Sequence, residues 1–174
     1  MTGITASFFG LGCNWDATKA YLGISGNQSA LVDFDDGNHV LFNDTYTAFW
    51  VGTSNDHQYA ISGQYRFSII DFDTESIVGS YWGYSQWLGA VSPVADLAIG
   101  MDPMSHEGMY AYDFSNPGSI SFDNSMIAGN APEGDAPRRA AIAPDGSVAV
   151  FCNVISDNIS ILDLQTNLPV AHLD

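Results

Sequence analysis

The sequence is poor in positive charge. Its 174 residues contain 4 Lys and Arg against 20 Asp and Glu, which gives a formal net charge of −16. Nucleic-acid binding depends on Lys and Arg that neutralise phosphates, so this composition argues against a nucleic-acid partner. The same shortage of basic residues argues against attraction to an anionic membrane surface.

Long apolar runs are also missing. No stretch approaches the ~20 continuous apolar residues that a membrane-spanning helix needs, and the chain does not begin with the basic and apolar segments of a secretion signal. We therefore predict no membrane insertion, and we expect any export signal to lie outside this chain.

Cysteines are scarce, since Cys13 and Cys152 are the only two. An oxidising compartment could bridge them, and they could equally remain small buried apolar residues. Their placement in sequence leaves the disulfide state open.

Several catalytic motifs are absent. The chain contains no Gly-x-Ser-x-Gly turn, phosphate-binding loop, dinucleotide fingerprint or His-Glu-x-x-His helix. The absence of these motifs argues against catalysis by an activated nucleophile and against nucleotide binding.

What the sequence does contain favours a β-rich fold. Hydrophobic residues make up 46% of the chain and aromatic residues 13%, which is enough for a packed core. The chain also holds 17 Gly and 7 Pro, and 17 of its 20 acidic residues are Asp. These residues favour turns over helices, so short strands joined by tight turns are expected.

A four-residue signature recurs along the chain. It consists of two apolar residues, an Asp, and then Phe or Leu, and it occurs at 31–34, 69–72, 111–114 and 161–164. The recurring aspartates are Asp33, Asp71, Asp113 and Asp163, separated by 38, 42 and 50 residues. We predict that each accepts backbone N–H hydrogen bonds in the turn that follows it.

Turn signals divide each repeat into four short strands without helical periodicity between them. The outermost strands are predicted to begin at His39, Ser76, Ser119 and Leu168. Repeats of ~40–45 residues with four antiparallel strands are typical of β-propeller blades. We therefore predict an all-β propeller array of four four-stranded antiparallel blades in a single domain, 4–173. The blades span about 4–43, 44–84, 85–128 and 138–173, with a loop at 126–137.

Ring closure is the difficulty with four blades. A propeller closes when its first blade packs against its last. We expect a partial chain or one half of a larger ring rather than a self-contained four-bladed ring. Further blades or a homodimer would then complete the ring.

The last repeat carries a recognisable pattern. It contains the turn Pro144-Asp145-Gly146, then Asn153, Ser156-Asp157 and the alternating Ile159 and Ile161. This pattern resembles the YVTN-type propeller repeat and is similar to blades of lactonase-like and quinoprotein-dehydrogenase-like propellers. Val150-Phe151-Cys152 stands where the naming Tyr-Val-Thr would be. The resemblance implies a propeller fold and an extracellular or periplasmic location, and it implies no particular reaction.

Two groups of residues are candidate binding sites. Asp102, His106 and Glu107 offer three kinds of metal ligand within six residues of one predicted hairpin, although they could equally be solvated. Arg138 and Arg139 stand at the start of a predicted innermost strand, where they could hold an anionic ligand or neutralise aspartates of the channel.

Calcium is a weaker possibility. The segment Asp33-Phe34-Asp35-Asp36-Gly37 is rich in Asp, but its spacing does not match a calcium loop of the Asp-x-Asp-x-Asp-Gly kind. No cofactor is therefore predicted, with calcium kept as an alternative.

These observations favour a non-catalytic binding module of an extracytoplasmic or surface protein, with a protein or glycan as its partner. The alternative is a propeller enzyme of lactonase-like or quinoprotein-dehydrogenase-like type, with a metal or acid/base site at the mouth of the channel.

Overall fold

A computed structural model describes residues 8–25, 28–43, 50–63, 66–82, 87–101, 109–123, 137–166 and 168–173. These residues form sixteen β-strands arranged as four separate four-stranded antiparallel sheets. The predicted all-β architecture of four four-stranded blades is confirmed. Within the described residues no helix is long and apolar enough to cross a membrane.

Each sheet is a meander whose strands follow chain order. Sheet 1 contains β1 (Phe8–Cys13), β2 (Lys19–Ile24), β3 (Gln28–Asp33) and β4 (His39–Phe42). Sheet 2 contains β5 (Trp50–Thr53), β6 (Tyr59–Gly63), β7 (Arg66–Asp71) and β8 (Ser76–Trp82). Sheet 3 contains β9 (Trp87–Val91), β10 (Leu97–Met101), β11 (Met109–Asp113) and β12 (Ser121–Asp123). Sheet 4 contains β13 (Pro137–Ile142), β14 (Val148–Asn153), β15 (Asn158–Asp163) and β16 (Leu168–Leu173).

The starts of the outermost strands follow the prediction in three sheets, at His39, Ser76 and Leu168. The prediction of Ser119 was wrong, because β12 begins at Ser121. The Ser119 amide instead donates a hydrogen bond to the carbonyl oxygen of Asn116 at 2.8 Å, which prolongs the preceding turn. The predicted loop 126–137 lies outside the described residues except for Pro137, which begins β13.

The four sheets share one register, in which the first residue of the second strand pairs with the recurring Asp. The pairs are Lys19 with Asp33, Tyr59 with Asp71, Leu97 with Asp113, and Val148 with Asp163. The residue after each Asp donates its amide to the carbonyl oxygen just before the second strand. These bonds join Phe34 to Thr18, Phe72 to Gln58, Phe114 to Asp96, and Leu164 to Ser147, at 2.7–3.1 Å.

Apolar side chains fill the spaces between consecutive sheets. One cluster joins sheets 1 and 2, a second joins sheets 2 and 3, and a third joins sheets 3 and 4. In the second cluster, Tyr112 stacks on Phe67 with ring centroids 4.2 Å apart. Burial of large apolar side chains between neighbouring sheets is the main stabilising force in such an array.

Close approach of sheets 2 and 3 depends on a glycine. A Cβ atom at Gly79 in β8 would lie far inside contact distance of the Pro117 carbonyl oxygen in sheet 3. A polar link joins sheets 1 and 2, where Lys19 Nζ lies 2.8 Å from Glu75 Oε1 and 2.9 Å from the carbonyl oxygen of Phe72.

The two cysteines lie in different sheets and are both free thiols. Cys13 ends β1 and Cys152 lies in β14, where it is exposed.

Candidate functional site: the inner-strand groove

The first strands of sheets 2, 3 and 4 line a groove, which we call the inner-strand groove. A cavity of about 500 Å³ lies in it between β5, β9 and β13 and the turns that follow β5 and β9. Its walls are made largely of small side chains, which leave space between the strands: Gly52, Gly89, Ala90, Ala140 and Ala141. At Gly89 an added Cβ would stand 3.1 Å from the Cβ of Ala140, so glycine allows β9 and β13 to approach closely.

A stacked arginine joins two of these strands near their beginnings, at the third residue of β13 and the first residue of β5. The guanidinium carbon of Arg139 in β13 lies 3.5 Å from the centroid of the Trp50 ring in β5. Arg139 is exposed, and no carboxylate forms an ion pair with it among the described residues. Stacking on an aromatic face fixes the guanidinium plane and leaves its in-plane N–H donors free to bind a carboxylate or sulfate. Arg138, beside it in β13, is also exposed.

The turn after β5 forms the end of the groove that lies farther along the strand from Trp50. Ser54, Asn55 and His57 line the cavity there. His57 has a φ of 57°, in the left-handed region that L residues rarely adopt. At the matching position of the other turns, sheet 1 has Ala17 with φ 57° and sheet 4 has Gly146 with φ 71°. The left-handed conformation of His57 is thus a feature of the turn between the first and second strands, shared by three of the four sheets.

His57 also borders a second surface, between sheets 1 and 2. The Trp15 ring meets the His57 ring edge-on, with centroids 5.4 Å apart, and Trp15 is 81% exposed. Asp16, Asp56 and Asp73 line the same depression, whose volume is about 430 Å³.

The carboxylates of these turns are engaged in local hydrogen bonds. The hydroxyl and amide of Thr18 both donate to Asp16 and hold the pKa of that carboxyl below its ordinary value. Burial opposes ionisation of Asp56, but hydrogen bonds from Ser54 and Gln58 outweigh it and lower the pKa of Asp56. Such carboxylates stabilise the turns that shape the groove.

The recurring aspartates accept backbone amides immediately after the third strand of each sheet. Asp71 Oδ1 accepts from Asp73 and Thr74 at 2.8 and 2.7 Å, and Asp113 Oδ1 accepts from Ser115 at 2.9 Å. Asp33 and Asp163 accept in the same way from the residues two and three positions ahead. The amides of Thr166 and Gln165 lower the pKa of Asp163.

The metal sites that the sequence suggested are not supported by the described residues. Asp102, His106 and Glu107 lie outside the described residues. In the segment considered for calcium, Asp33 caps backbone amides and Asp36 Oδ1 accepts the amide of Asn38 at 2.8 Å. Over the part of the chain that the structure describes, no three His, Cys, Asp or Glu side chains are grouped so as to hold a metal ion.

Four meandering sheets packed face to face around a groove of first strands define a β-propeller-type fold. No family model and no curated protein matches the sequence. Solved structures do share the fold. A functionally unknown protein from Desulfotomaculum acetoxidans superposes with a TM-score of 0.80 at 16% identity, over 98% of this chain and 57% of that one.

Two enzymes share the fold as well. Hydrazine synthase of Kuenenia stuttgartiensis has a TM-score of 0.77 at 15% identity, over 99% of this chain and 50% of that one. The dihydro-heme d1 dehydrogenase NirN has a TM-score of 0.74 at 15% identity, over 95% of this chain and 37% of that one. The chain thus spans about half the length of these structures or less, and the likeness at such identity is one of fold.

The sequence singled out Arg138 and Arg139 at the start of a predicted innermost strand, but it did not single out Trp50 or His57. A signal for His57 was available, because aligning the turns of the repeats sets it opposite Gly146, where a glycine suits a positive φ. No sequence pattern pointed to Trp50 in the same way. Its contact with Arg139 joins sheet 2 to sheet 4, which are not consecutive in the chain.

Proposed function

We propose that the chain is a non-catalytic binding module of an extracytoplasmic or surface protein. In this proposal the inner-strand groove holds an anionic group of a protein or glycan partner, and Arg139 is its main contact. The observation that carries the proposal is the exposed Arg139 guanidinium, whose central carbon lies 3.5 Å from the centroid of the Trp50 ring. The next residues of the two strands, Ala140 and Val51, line the cavity of about 500 Å³. The extracytoplasmic location rests on the resemblance of the last repeat to YVTN-type blades.

The chemistry of the ligand follows from that contact. A planar guanidinium with its face covered by an indole binds best through its edge, where two parallel N–H groups match a carboxylate or sulfate. The small residues around the cavity, among them Gly52 and Gly89, leave room for a sugar ring or a short peptide. Because the net charge of −16 repels polyanions at long range, a ligand with one or two anionic groups fits best.

The test compares binding to arrays of uronic-acid-containing and neutral glycans and of acidic and neutral peptides. We expect the wild-type chain to retain acidic probes and Arg139→Gln to bind them at least about tenfold more weakly, because one charge-assisted bidentate contact is lost. Trp50→Leu should weaken binding less, since the guanidinium remains but loses its support.

Arg66→Gln provides the matched control. Arg66 also stacks on a tryptophan, Trp82, with its guanidinium carbon 4.8 Å from the ring centroid, but it lies in β7, away from the groove. Equal losses in the two arginine variants, or unchanged binding in Arg139→Gln, would refute the assignment of the site.

A further inference from the structure

Trp15 is the most exposed large apolar residue in the part of the chain that the structure describes. It is 81% exposed and lies on the turn between β1 and β2. In the shared register, the equivalent turn residue is Asn55 in sheet 2, Pro93 in sheet 3 and Pro144 in sheet 4. Asn and Pro are turn-forming residues, so the turn itself does not require a tryptophan. An exposed indole that the turn does not need is suited to contact with a ligand.

A set of hydrogen bonds holds the turn that carries Trp15. The Asn14 amide donates to the carbonyl oxygen of Lys19 at 3.1 Å, and Asn14 Oδ1 accepts the Lys19 amide at 2.8 Å. Asn14 Nδ2 donates to Thr18 Oγ1 at 3.0 Å, and the Ala17 amide donates to the Asn14 carbonyl oxygen at 3.2 Å. Trp15 is therefore presented on a preorganised turn, which lowers the entropy cost of binding a ligand there.

Trp15 borders the depression of about 430 Å³ between sheets 1 and 2, which we call the Trp15 depression. Its ring contacts the His57 ring edge-on, so the indole lies on the side of sheet 1 that faces sheet 2. The buried Phe72 is a further apolar residue of the lining. The remaining lining residues are polar: Asn14, Asp16, Asp56, Gln58 and Asp73. The Trp15 depression thus combines an apolar ring with hydrogen-bonding side chains.

Several polar groups of this lining have unused hydrogen-bonding capacity. Asp56 Oδ1 accepts hydrogen bonds from the Ser54 hydroxyl and the Gln58 amide, but no described residue donates to Asp56 Oδ2. The side chains of Gln58 and Asp73 are exposed and form no hydrogen bond with any other described residue. Together these groups supply carboxylate acceptors and an amide that both donates and accepts.

We propose that the Trp15 depression binds a neutral sugar unit of a glycan. The C–H face of the sugar ring packs on the exposed indole, and its hydroxyl groups form hydrogen bonds with Asp56, Gln58 and Asp73. A sugar ring has an apolar face and a polar rim, which are the two kinds of surface that this depression presents. The site shares only His57 with the lining of the inner-strand groove, and it does not depend on the anionic ligand proposed there.

The charge of the lining argues against ionic ligands. Asp16, Asp56 and Asp73 repel carboxylates and sulfates, so uronic acids and sulfated sugars are poor occupants. A cation is attracted, but an aromatic ring binds a cation strongly only where the cation is removed from water. Trp15 is so exposed that a cation on its face stays hydrated. A neutral sugar gains the indole contact without the cost of desolvating a charge.

The first test is calorimetric titration of the chain with neutral tetrasaccharides of glucose, mannose and N-acetylglucosamine. We expect at least one of them to bind with a dissociation constant of about 0.1–10 mM, since one aromatic contact and a few hydrogen bonds hold it. Trp15→Ala should weaken this binding at least about tenfold, because the stacking surface is lost, whereas Trp15→Tyr should retain most of it. Because Trp15 is exposed, both variants should unfold at the same urea concentration as the wild-type chain.

Trp82→Ala is the matched control. Trp82 is also exposed, at 58%, but it lies in β8 with Arg66 over its ring and does not line the Trp15 depression. This variant should bind the tetrasaccharide as the wild-type chain does. Arg139→Gln should do so too, which separates a failure of this site from a failure of the site in the groove. Equal losses in Trp15→Ala and Trp82→Ala, or no binding of any of the tetrasaccharides, would overturn the proposal.

The second test asks whether the ligand is neutral, with tetramethylammonium chloride as the competing probe. We expect the dissociation constant of the tetrasaccharide to change less than about twofold between ~10 mM and ~500 mM NaCl, because a neutral ligand brings no charge to be screened. Tetramethylammonium should bind more weakly than the tetrasaccharide. If it instead bound more tightly and salt displaced it, the Trp15 depression would be a cation site and the sugar proposal would be wrong.

Discussion

At the scale of single residues, acidic side chains play two opposite roles. Asp16, Asp145 and Asp163 accept local hydrogen bonds that lower their pKa, so their ionised form stabilises the turns. Asp96 lies just before β10 in a less favourable place. Burial raises its pKa, and the charges of Asp56 and Asp113 raise it further. At neutral pH the ionised Asp96 therefore opposes folding.

The substitution Asp96→Asn tests this role. Because the folded-state pKa is raised above the ordinary value of 3.8, protonation of Asp96 favours the folded state at low pH, and this contribution is lost as pH rises through the folded pKa. We expect Asp96→Asn to raise the midpoint of urea unfolding at pH 7 and to change it little near pH 3. Asp163→Asn is the opposite control and should lower stability at pH 7. A loss of stability in Asp96→Asn at pH 7 would contradict the prediction.

At the scale of elements, the sequence was sufficient to predict the four-stranded units, because the recurring Asp and its turn mark the third strand of each sheet. It was less reliable at strand ends, as Ser119 shows, because a single turn hydrogen bond moved the boundary by two residues. It could not predict the Arg139–Trp50 contact, which depends on how β13 and β5 lie in space. A repeated pattern encodes local pairing better than contacts between distant repeats.

The turn between the first and second strands of each sheet gives a prediction at this scale. Gly146 has a φ of 71°, and an added Cβ would clash with Cγ2 of Val94. Gly146→Ala should therefore lower the free energy of unfolding by about 2 kcal/mol or more. Ala17 adopts φ 57° in the matching turn, and Ala17→Gly should stabilise the chain by about 0.5–1 kcal/mol.

Chemical denaturation of the two variants checks both signs against the wild-type chain. Since the two residues occupy equivalent turns, the pair separates backbone strain from the general effect of gaining or losing a methyl group. If both substitutions changed the free energy of unfolding in the same direction and by the same amount, the left-handed conformation would not determine which residue is preferred at these positions.

At the scale of the whole molecule, acidity and apolar burial act against each other. The chain carries a net charge of −16, and the compact fold brings these charges closer together than they are in the unfolded chain. Burial of apolar side chains between consecutive sheets stabilises the fold against this repulsion. Repulsion between net charges is screened by salt, whereas apolar burial is not weakened by it.

The fold should therefore become more stable as salt increases. We expect the midpoint of urea unfolding at pH 7 to rise between ~10 mM and ~500 mM NaCl, as the Debye length shortens from ~30 Å to a few Å and the acidic residues repel one another less. A midpoint that falls with salt would mean that attractive ion pairs, such as Lys19 with Glu75, outweigh the repulsion between the acidic residues.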